Sequence, residues 1–287
     1  MQSPHLLIAA AAVALLGSAH AAVSIVGSSN QWTPIAGNYD YVNDQQTGQP
    51  VSDIVGSGTN YGFFVTFDSI DDSSHADGTL GFRIRLDAPG GTSNKPAFDR
   101  VLWVGVDANG NGSVDAFFGV STQGNTSTLG IYAPGDSANT SPKTTSIAST
   151  AAFSYALTSA NFNYRPVDFT TDGGTTNDLT SATNGDPDYY LSFTVPFADL
   201  VSFLGLDTRN ADQRSLRYVV ATSTQHNSLN QDLGGVNGGI GSTSTWEELG
   251  GFTPSMNASG TLIPEPSSAL LFACGITFAG TRRRRTK

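Results

Sequence analysis

Short segments in which apolar and polar side chains alternate constrain the fold of this chain more than any other feature. The first of them contains Leu80, Phe82, Ile84 and Leu86, which alternate with small or charged residues. A period of two places every second side chain on one face of a β-strand, so this segment is predicted to be a half-buried strand. Residues 189–195 and 216–220 repeat the pattern.

Three further segments are apolar at nearly every position and predict central strands that are covered on both faces. They are residues 63–67, 101–106 and 114–120. Stretches rich in Gly, Pro, Asn, Asp and Ser separate the strands, as expected of turns. These stretches are residues 71–78, 88–95, 133–142 and 170–188.

One short helix is predicted from Pro196 to Leu204. Proline suits the first position of a helix, and Gly205 suits its C-terminal cap. Phe197 and Leu200 share an apolar face with Leu204. Because strands do not alternate with helices, we expect an all-β fold, a single antiparallel β-sandwich (jelly-roll-like) over residues 22–260.

The charge of the chain excludes some partners. Residues 22–263 contain 9 Lys and Arg against 23 Asp and Glu. Such a surface repels nucleic acid and anionic membranes. Of the 24 acidic residues, 21 are Asp. Aspartate suits turns and cation-binding loops, whereas glutamate suits helices, so this bias favours a β-protein with metal loops.

The strongest motif for chemistry runs from Asp107 to Asp115 and matches the spacing of calcium loops. Asp107, Asn109 and Asn111 would present side-chain oxygens, Ser113 its backbone carbonyl, and Asp115 would close the loop. We therefore predict calcium as a structural cofactor.

The flanks of this motif differ from those of an EF-hand. The twelfth position is Phe118 rather than Glu, and strand-like segments surround the loop. The motif therefore resembles the calcium loops of β-hairpins. The alternative is an Asn-Gly hairpin turn without metal.

A second acidic stretch contains Asp172, Asp178, Asp186 and Asp188. It is a candidate second cation site, with a solvated loop as the alternative because its spacing does not repeat.

Catalytic patterns are few. His75 and His226 have no partner at metal-ligand spacing. Glu247 and Glu248 follow Trp246, which is typical of some sugar sites, but neighbouring residues on a strand point to opposite faces. We therefore predict no catalytic residues.

The N-terminus is typical of a secretory signal peptide. Residues 6–16 are apolar, and Ala19 and Ala21 are the small residues expected before a cleavage site. We expect residues 1–21 to form a signal helix, with cleavage between Ala21 and Ala22.

The C-terminal residues 263–287 have three parts. Pro264, Glu265 and Pro266 form an extended spacer, and an apolar stretch over residues 269–280 predicts a short transmembrane helix. The basic residues Arg282, Arg283, Arg284 and Arg285 follow. Because basic residues after an apolar segment remain in the cytoplasm, the bulk of the chain is expected outside.

This ending resembles the PEP-CTERM sorting signal of exported bacterial proteins. The resemblance implies that the tail holds the protein in the inner membrane for a time. An exosortase, a membrane-embedded cysteine protease, would then act near Pro264, Glu265 and Pro266. The protein would reach the cell surface or extracellular matrix of a Gram-negative-type bacterium.

The region between the two ends resembles exported bacterial proteins of unknown function. The stretches that carry this resemblance are residues 44–48, 53–56, 102–109, 195–200, 221–225 and 230–235. The order of strands and of the Asp-rich turn also resembles family-nine carbohydrate-binding modules.

These resemblances imply a non-catalytic surface or matrix protein that binds exopolysaccharide. The alternative is a secreted hydrolase that acts on polysaccharide. The scarcity of glutamate and the missing catalytic motifs favour the first hypothesis.

The tail predicts the outcome of a charge substitution. Replacing Arg282, Arg283, Arg284 and Arg285 together with Ser should release the protein into the periplasm, because the basic cluster fixes the orientation of the apolar segment. Cell fractionation and immunoblotting would measure the shift. An unchanged membrane fraction would contradict the assignment.

Overall fold

The computed structural model of the protein describes residues 23–70, 73–92, 95–123, 127–180 and 186–264. The predicted signal peptide, with Ala21 and Ala22, lies outside the described residues. Most of the predicted sorting tail does so too, namely Glu265, Pro266, Arg282, Arg283, Arg284 and Arg285. Pro264 is the last described residue, and it is exposed.

The first antiparallel sheet has five strands. In chain order they are β1 (Thr33–Pro34), β2 (Phe63–Asp68), β3 (Thr79–Leu86), β10 (Phe162–Pro166) and β11 (Tyr189–Pro196). Their order across the sheet is β1, β2, β3, β11, β10. The central strand β3 thus pairs with β2, which precedes it, and with β11, more than a hundred residues later.

The second antiparallel sheet has six strands. In chain order they are β6 (Val101–Asp107), β7 (Ala116–Ser121), β8 (Thr128–Pro134), β9 (Ile147–Tyr155), β12 (Arg217–Ser223) and β13 (Asp232–Leu233). Their order is β13, β12, β6, β7, β8, β9. A separate hairpin consists of β4 (Gly90–Thr92) and β5 (Lys95–Ala97).

The main core lies between the two sheets, and Phe82 of β3 is at its centre. The ring centroid of Phe82 is 5.0 Å from that of Phe118 and 5.3 Å from that of Tyr218, both in the second sheet. It is 5.4 Å from that of Phe193 in β11. All four residues are fully buried, with 0% exposed surface. Contacts of this kind across the sheets provide the main stabilisation of a sandwich.

The predicted all-β class is confirmed, with two packed antiparallel sheets. The predicted central strands correspond to β2, β6 and β7, and the alternating segments to β3, β11 and β12. Strand β7 begins at Ala116 rather than at Val114, because Val114 and Asp115 belong to the preceding loop. The predicted terminal helices lie outside the described residues.

The half-buried character predicted for β3 is wrong. Arg83 and Arg85, on the face expected to meet solvent, are both 0% exposed. Residues 23–32 fold back over this face, where Arg83 donates to the carbonyl oxygens of Ile25 (3.0 Å) and Gly27 (2.9 Å). Asp188 covers and pairs with Arg85. The alternation is real, but a second layer of chain covers the polar face.

The predicted short helix is α2 (Phe197–Leu204), with Pro196 as its N-cap and Gly205 as its left-handed C-cap. The described residues also contain two four-residue helices that the sequence did not predict, α1 (Phe169–Asp172) and α3 (Trp246–Leu249). Both begin after a capping residue whose side chain accepts a backbone hydrogen bond: Asp168 accepts from the N–H of Thr170, and Thr245 from that of Glu248. Such caps stabilise even a single turn.

Candidate cation centre

Four aspartates from distant parts of the chain meet at one edge of the sandwich. Asp40, Asp44 and Asp53 belong to the long segment between β1 and β2, and Asp232 begins β13. Strand β13 pairs with β12 at the edge of the second sheet. Ile54, next to Asp53, forms a β-bridge with Leu86 at the end of β3. The segment between β1 and β2 is therefore tied to the first sheet through Leu86 and to the second through Asp232. We call the four carboxylates at this edge the acidic centre.

The acidic centre is compact and buried. One carboxylate oxygen from each of Asp44, Asp53 and Asp232 lies within 4.8 Å of the other two. Asp40 is close enough to repel Asp232, Asp44 and Asp53. The exposed fractions are 0% for Asp53, 1% for Asp232 and 6% for Asp40, and Asp44 is half-buried.

Backbone N–H groups fix the orientation of each carboxylate. The N–H of Tyr41 donates to Asp40 (2.9 Å) and that of Asn43 to Asp53 (2.7 Å). The N–H of Ile54 donates to Asp232 (2.7 Å) and that of Gly238 to Asp44 (2.7 Å). The side chains are thus held before any ligand binds, which lowers the entropy that binding would cost.

Three of the four aspartates also have a buried oxygen without a donor. Asp40 Oδ2, Asp44 Oδ1 and Asp53 Oδ1 are buried and accept no hydrogen bond, and neither does Oε1 of the neighbouring Gln45. Within the described residues, no Lys, Arg or His side chain forms an ion pair with any of the four aspartates. Buried acceptors are almost always satisfied in folded proteins, so these oxygens indicate a ligand.

The pKa values of the four aspartates also indicate that the centre binds a ligand. Burial, with a smaller contribution from the neighbouring charges of Asp87 and Asp44, raises the pKa of Asp53 to about 7. Burial and the neighbouring carboxylates also raise the pKa values of Asp40 and Asp232 well above 3.8, and burial raises that of Asp44. The cluster must therefore take up protons or bind a cation to become neutral.

The donor set suits calcium. It consists of oxygen atoms without nitrogen or sulfur donors among the clustered side chains, which selects a hard cation. Calcium accepts several carboxylates in irregular geometry, whereas magnesium prefers an octahedral shell with retained water.

The loop predicted to bind calcium forms a tight hairpin between β6 and β7. Asp107 Oδ1 accepts from the backbone N–H groups of Asn109 (3.2 Å) and Gly110 (2.6 Å), and its Oδ2 accepts from that of Gly112 (3.0 Å). The guanidinium of Arg217 also pairs with Asp107. Gly112, at φ +79°, has the left-handed conformation that the turn requires.

The other predicted ligands of this loop are also engaged. The Asn109 amide donates to both oxygens of Asp115, at 2.8 and 2.9 Å. Asn109 Oδ1 accepts from the N–H of Asn111, and Asn111 Oδ1 accepts from the N–H of Ser113. The loop gathers its predicted ligands, and the side-chain oxygens of Asp107, Asn109, Asn111 and Asp115 already have donors. Calcium binding at this loop stays a prediction.

The second predicted cation stretch is divided between different surroundings. Asp172 pairs with Arg165 and accepts from Ser29, and these contacts hold its pKa at about 2 despite burial. Asp186 is exposed. Asp178 and Asp188 instead meet Asp87, at the end of β3.

The remaining candidate residues have structural partners. His75 Nδ1 lies 2.9 Å from a carboxylate oxygen of Asp212, while His226 is exposed. The prediction that Glu247 and Glu248 are neighbours on a strand is wrong, because both lie in helix α3.

The contacts of helix α3 explain its residues. Glu247 pairs with Arg217, and Glu248 completes the capping box with Thr245. Trp246 is buried in a smaller core outside the second sheet, so its ring is not exposed as a sugar platform.

A cavity of about 270 Å³ opens on the outer side of the first sheet. Its lining includes four aromatic residues, Trp32, Tyr61, Phe64 and Tyr190, beside Asn30 and Asp172. The guanidinium of Arg83 lies 4.4 Å from the ring centroid of Trp32 and fixes the indole. Among the described residues, no helix is long and apolar enough to cross a membrane.

No family model, curated protein or solved structure matches the chain. The interpretation of the site therefore depends on its own geometry. Three of the stretches that carry the resemblance to exported proteins converge on the acidic centre, namely residues 44–48, 53–56 and 230–235.

Sequence reasoning missed the acidic centre because its members lie far apart in the chain. Asp53 and Asp232 are separated by 179 positions, and Asp40 and Asp44 do not match a known loop pattern. A signal was available in the local context, because Asp53 precedes an apolar pair and Asp232 precedes Leu233. An aspartate in a buried, strand-like context requires a partner.

The acidic centre predicts how pH affects the calcium-free protein. The pKa of Asp53 is 3.8 in the unfolded chain and about 7 in the fold, so the folded chain binds more protons between these values. Stability is therefore highest at the acidic end of this window and falls as pH rises through it. In a calcium chelator, we expect the melting temperature to fall by several degrees between about pH 5 and about pH 8.

The control is Asp53→Asn, which keeps the shape of the side chain and removes one titrating group. Its melting temperature should fall less steeply over the same pH range. Circular dichroism melts would measure both proteins. A wild-type melting temperature that is constant or rises with pH would contradict the interpretation.

Proposed function

We propose that the chain is an exported, non-catalytic protein of the cell surface or extracellular matrix, built on a jelly-roll-like sandwich that calcium stabilises. The observation that carries the calcium part is the set of buried, unpaired oxygens of Asp40, Asp44 and Asp53 beside Asp232. Calcium concentrations outside cells reach the range that extracellular calcium modules require.

The two ends of the chain support the route of export. The apolar N-terminal segment with Ala19 and Ala21, and the C-terminal tail with its basic cluster, are features of the sequence. An exosortase and the inner membrane are the partners that this route implies. Pro264, the last described residue, is exposed, as a protease site next to the fold requires.

The burial of the acidic centre supports a structural role over the alternative of a polysaccharide hydrolase. Glycoside hydrolysis needs two carboxyl groups that flank a bound substrate. Asp53 and Asp232 have exposed fractions of 0% and 1%, so a sugar ring cannot reach them in this conformation. Burial is the largest cause of their raised pKa values, and the neighbouring carboxylates add to it.

Exopolysaccharide binding is a second candidate function, supported by the cavity at Trp32. Its volume of about 270 Å³ is near the lower end of the ~300–1,000 Å³ typical of ligand pockets, which suits one sugar unit. The half-buried ring of Tyr61 and the exposed amide of Asn30 are the groups of this lining that would contact the apolar face and the hydroxyls of a sugar. We therefore propose this cavity as the sugar-binding site.

Calcium should raise the melting temperature of the full-length protein. At free calcium about 100 times the dissociation constant, binding to the folded state alone contributes ~2.7 kcal/mol. For a domain of this size the melting temperature would rise by about 5–10 °C. Differential scanning calorimetry in calcium and in EGTA would measure the shift.

Three variants identify the responsible site. Asp53→Asn should lose most of the rise in calcium, yet melt at or above the wild-type temperature in EGTA, because it removes a repelled charge. Asp107→Ala reports on the hairpin loop, and the exposed Asp136→Asn is the matched control. If Asp53→Asn retains the full rise and Asp107→Ala abolishes it, calcium binds at the loop and the acidic centre is not the site.

The sugar proposal predicts a loss of affinity when the cavity is altered. Tyr61, which is half-buried, can be replaced with Ala at small cost to the fold. We expect Tyr61→Ala to weaken binding of soluble dextran, xylan or alginate oligosaccharides about tenfold, equivalent to ~1.4 kcal/mol. Isothermal titration calorimetry would measure it, with the exposed Tyr41→Ala as control. Equal affinities in wild type and Tyr61→Ala would place any sugar site elsewhere.

A further inference from the structure

A second group of aspartates lies directly beside the acidic centre. Asp87 follows β3, Asp188 precedes β11, and Asp178 lies in the connection between α1 and β11. One carboxylate oxygen from each lies within 4.8 Å of the other two. The backbone N–H of Asp87 donates to the carbonyl oxygen of Asp53 at 3.0 Å, so the two groups are neighbours.

Several hydrogen bonds orient the carboxylates of this second group. Asp178 Oδ1 accepts from the backbone N–H of Thr180 at 2.8 Å. The Thr180 hydroxyl donates to Asp87 Oδ1. The backbone N–H of Leu179 lies 3.3 Å from Asp188 Oδ2 and 3.4 Å from its Oδ1.

One oxygen of this group has no donor. Asp87 Oδ2 accepts no hydrogen bond, although Asp87 is only 1% exposed. An unsatisfied carboxylate oxygen at this depth costs free energy unless a ligand binds it. Because carboxylate oxygens of Asp87, Asp178 and Asp188 lie within 4.8 Å of one another, a ligand bound to Asp87 would be close to all three residues.

The charges of this group are incompletely balanced. Arg85 pairs with Asp188, and its Nη2 donates to the carbonyl oxygen of Thr176 at 3.0 Å. Within the described residues, no basic side chain pairs with Asp87 or Asp178. Three carboxylates against one guanidinium leave a net charge of −2, which one divalent cation neutralises.

We propose that Asp87, Asp178 and Asp188 bind a second divalent cation, and that this cation is calcium. The donors are oxygen atoms, which again selects a hard cation. The ion joins the end of β3 to the start of β11 and to the connection that follows α1. Because the N–H of Asp87 donates to the carbonyl oxygen of Asp53, this ion also stabilises the backbone of the acidic centre. The two ions would therefore stabilise the same edge of the sandwich.

The stoichiometry of bound calcium tests this site separately from the acidic centre. The full-length protein and its variants would be dialysed against a fixed free calcium concentration, and bound calcium per chain measured by inductively coupled plasma mass spectrometry. Asp87→Asn and Asp178→Asn should each bind one calcium ion fewer than wild type. Asp53→Asn should also lose one ion, and the double variant with Asp87→Asn should lose two.

The exposed Asp186→Asn, in the same connection as Asp178, is the matched control and should bind as much calcium as wild type. Asp178 is half-buried, so Asp178→Asn supplies a folded variant if Asp87→Asn fails to fold. The proposal is overturned if folded Asp87→Asn or Asp178→Asn protein binds as many ions as wild type. A loss in Asp53→Asn alone would support the acidic centre and refute the second site.

Discussion

The structure of this sandwich depends on two arginine side chains that are buried on the outer face of one sheet, under a second layer of chain. Arg83 and Arg85 lie on the outer face of the central strand β3 with 0% exposure, and burying a guanidinium without partners costs several kcal/mol. The chain supplies those partners from remote segments. Carbonyl oxygens of residues 25 and 27 accept from Arg83, and Asp188 pairs with Arg85. The covering segments are therefore a necessary part of the fold.

The buried aspartates at the adjacent edge are not balanced in the same way. Asp40, Asp44, Asp53 and Asp232 have backbone donors, but no basic partner among the described residues. The contrast with the arginines is informative, since the same fold pairs each buried cation and leaves these anions with free oxygens. A bound cation would both offset the negative charge of these aspartates and coordinate the oxygens that lack donors.

The position of the acidic centre explains what such an ion would do. It would join the long segment before β2 to β13, the short edge strand of the second sheet, across a gap of 179 positions in the chain. A strand of two residues has little pairing of its own, so other contacts must hold it. The chain has one cysteine, Cys274, outside the described residues, so it cannot form a disulfide within itself, and a bound ion would supply a link of that kind.

Local patterns predicted the strands because strand formation depends on alternation and β-propensity that neighbouring residues share. The segments at β2, β3, β6, β11 and β12, and the helix capped by Gly205, could all be identified in this way. The short helices α1 and α3 were missed because a single capping side chain decides them. The hairpin loop at Asp107 was identified, since its residues are close in sequence.

The sequence by itself determined the all-β class, the strand segments, the excess of aspartate and the two unusual ends of the chain. The tertiary structure alone decided that Arg83 and Arg85 are buried, that Asp172 and Asp188 belong to different clusters, and that Asp53 meets Asp232. The physical reason is that desolvation and charge neutralisation depend on distance in space. Residues remote in the chain acquire these interactions only when folding places them a few ångströms apart.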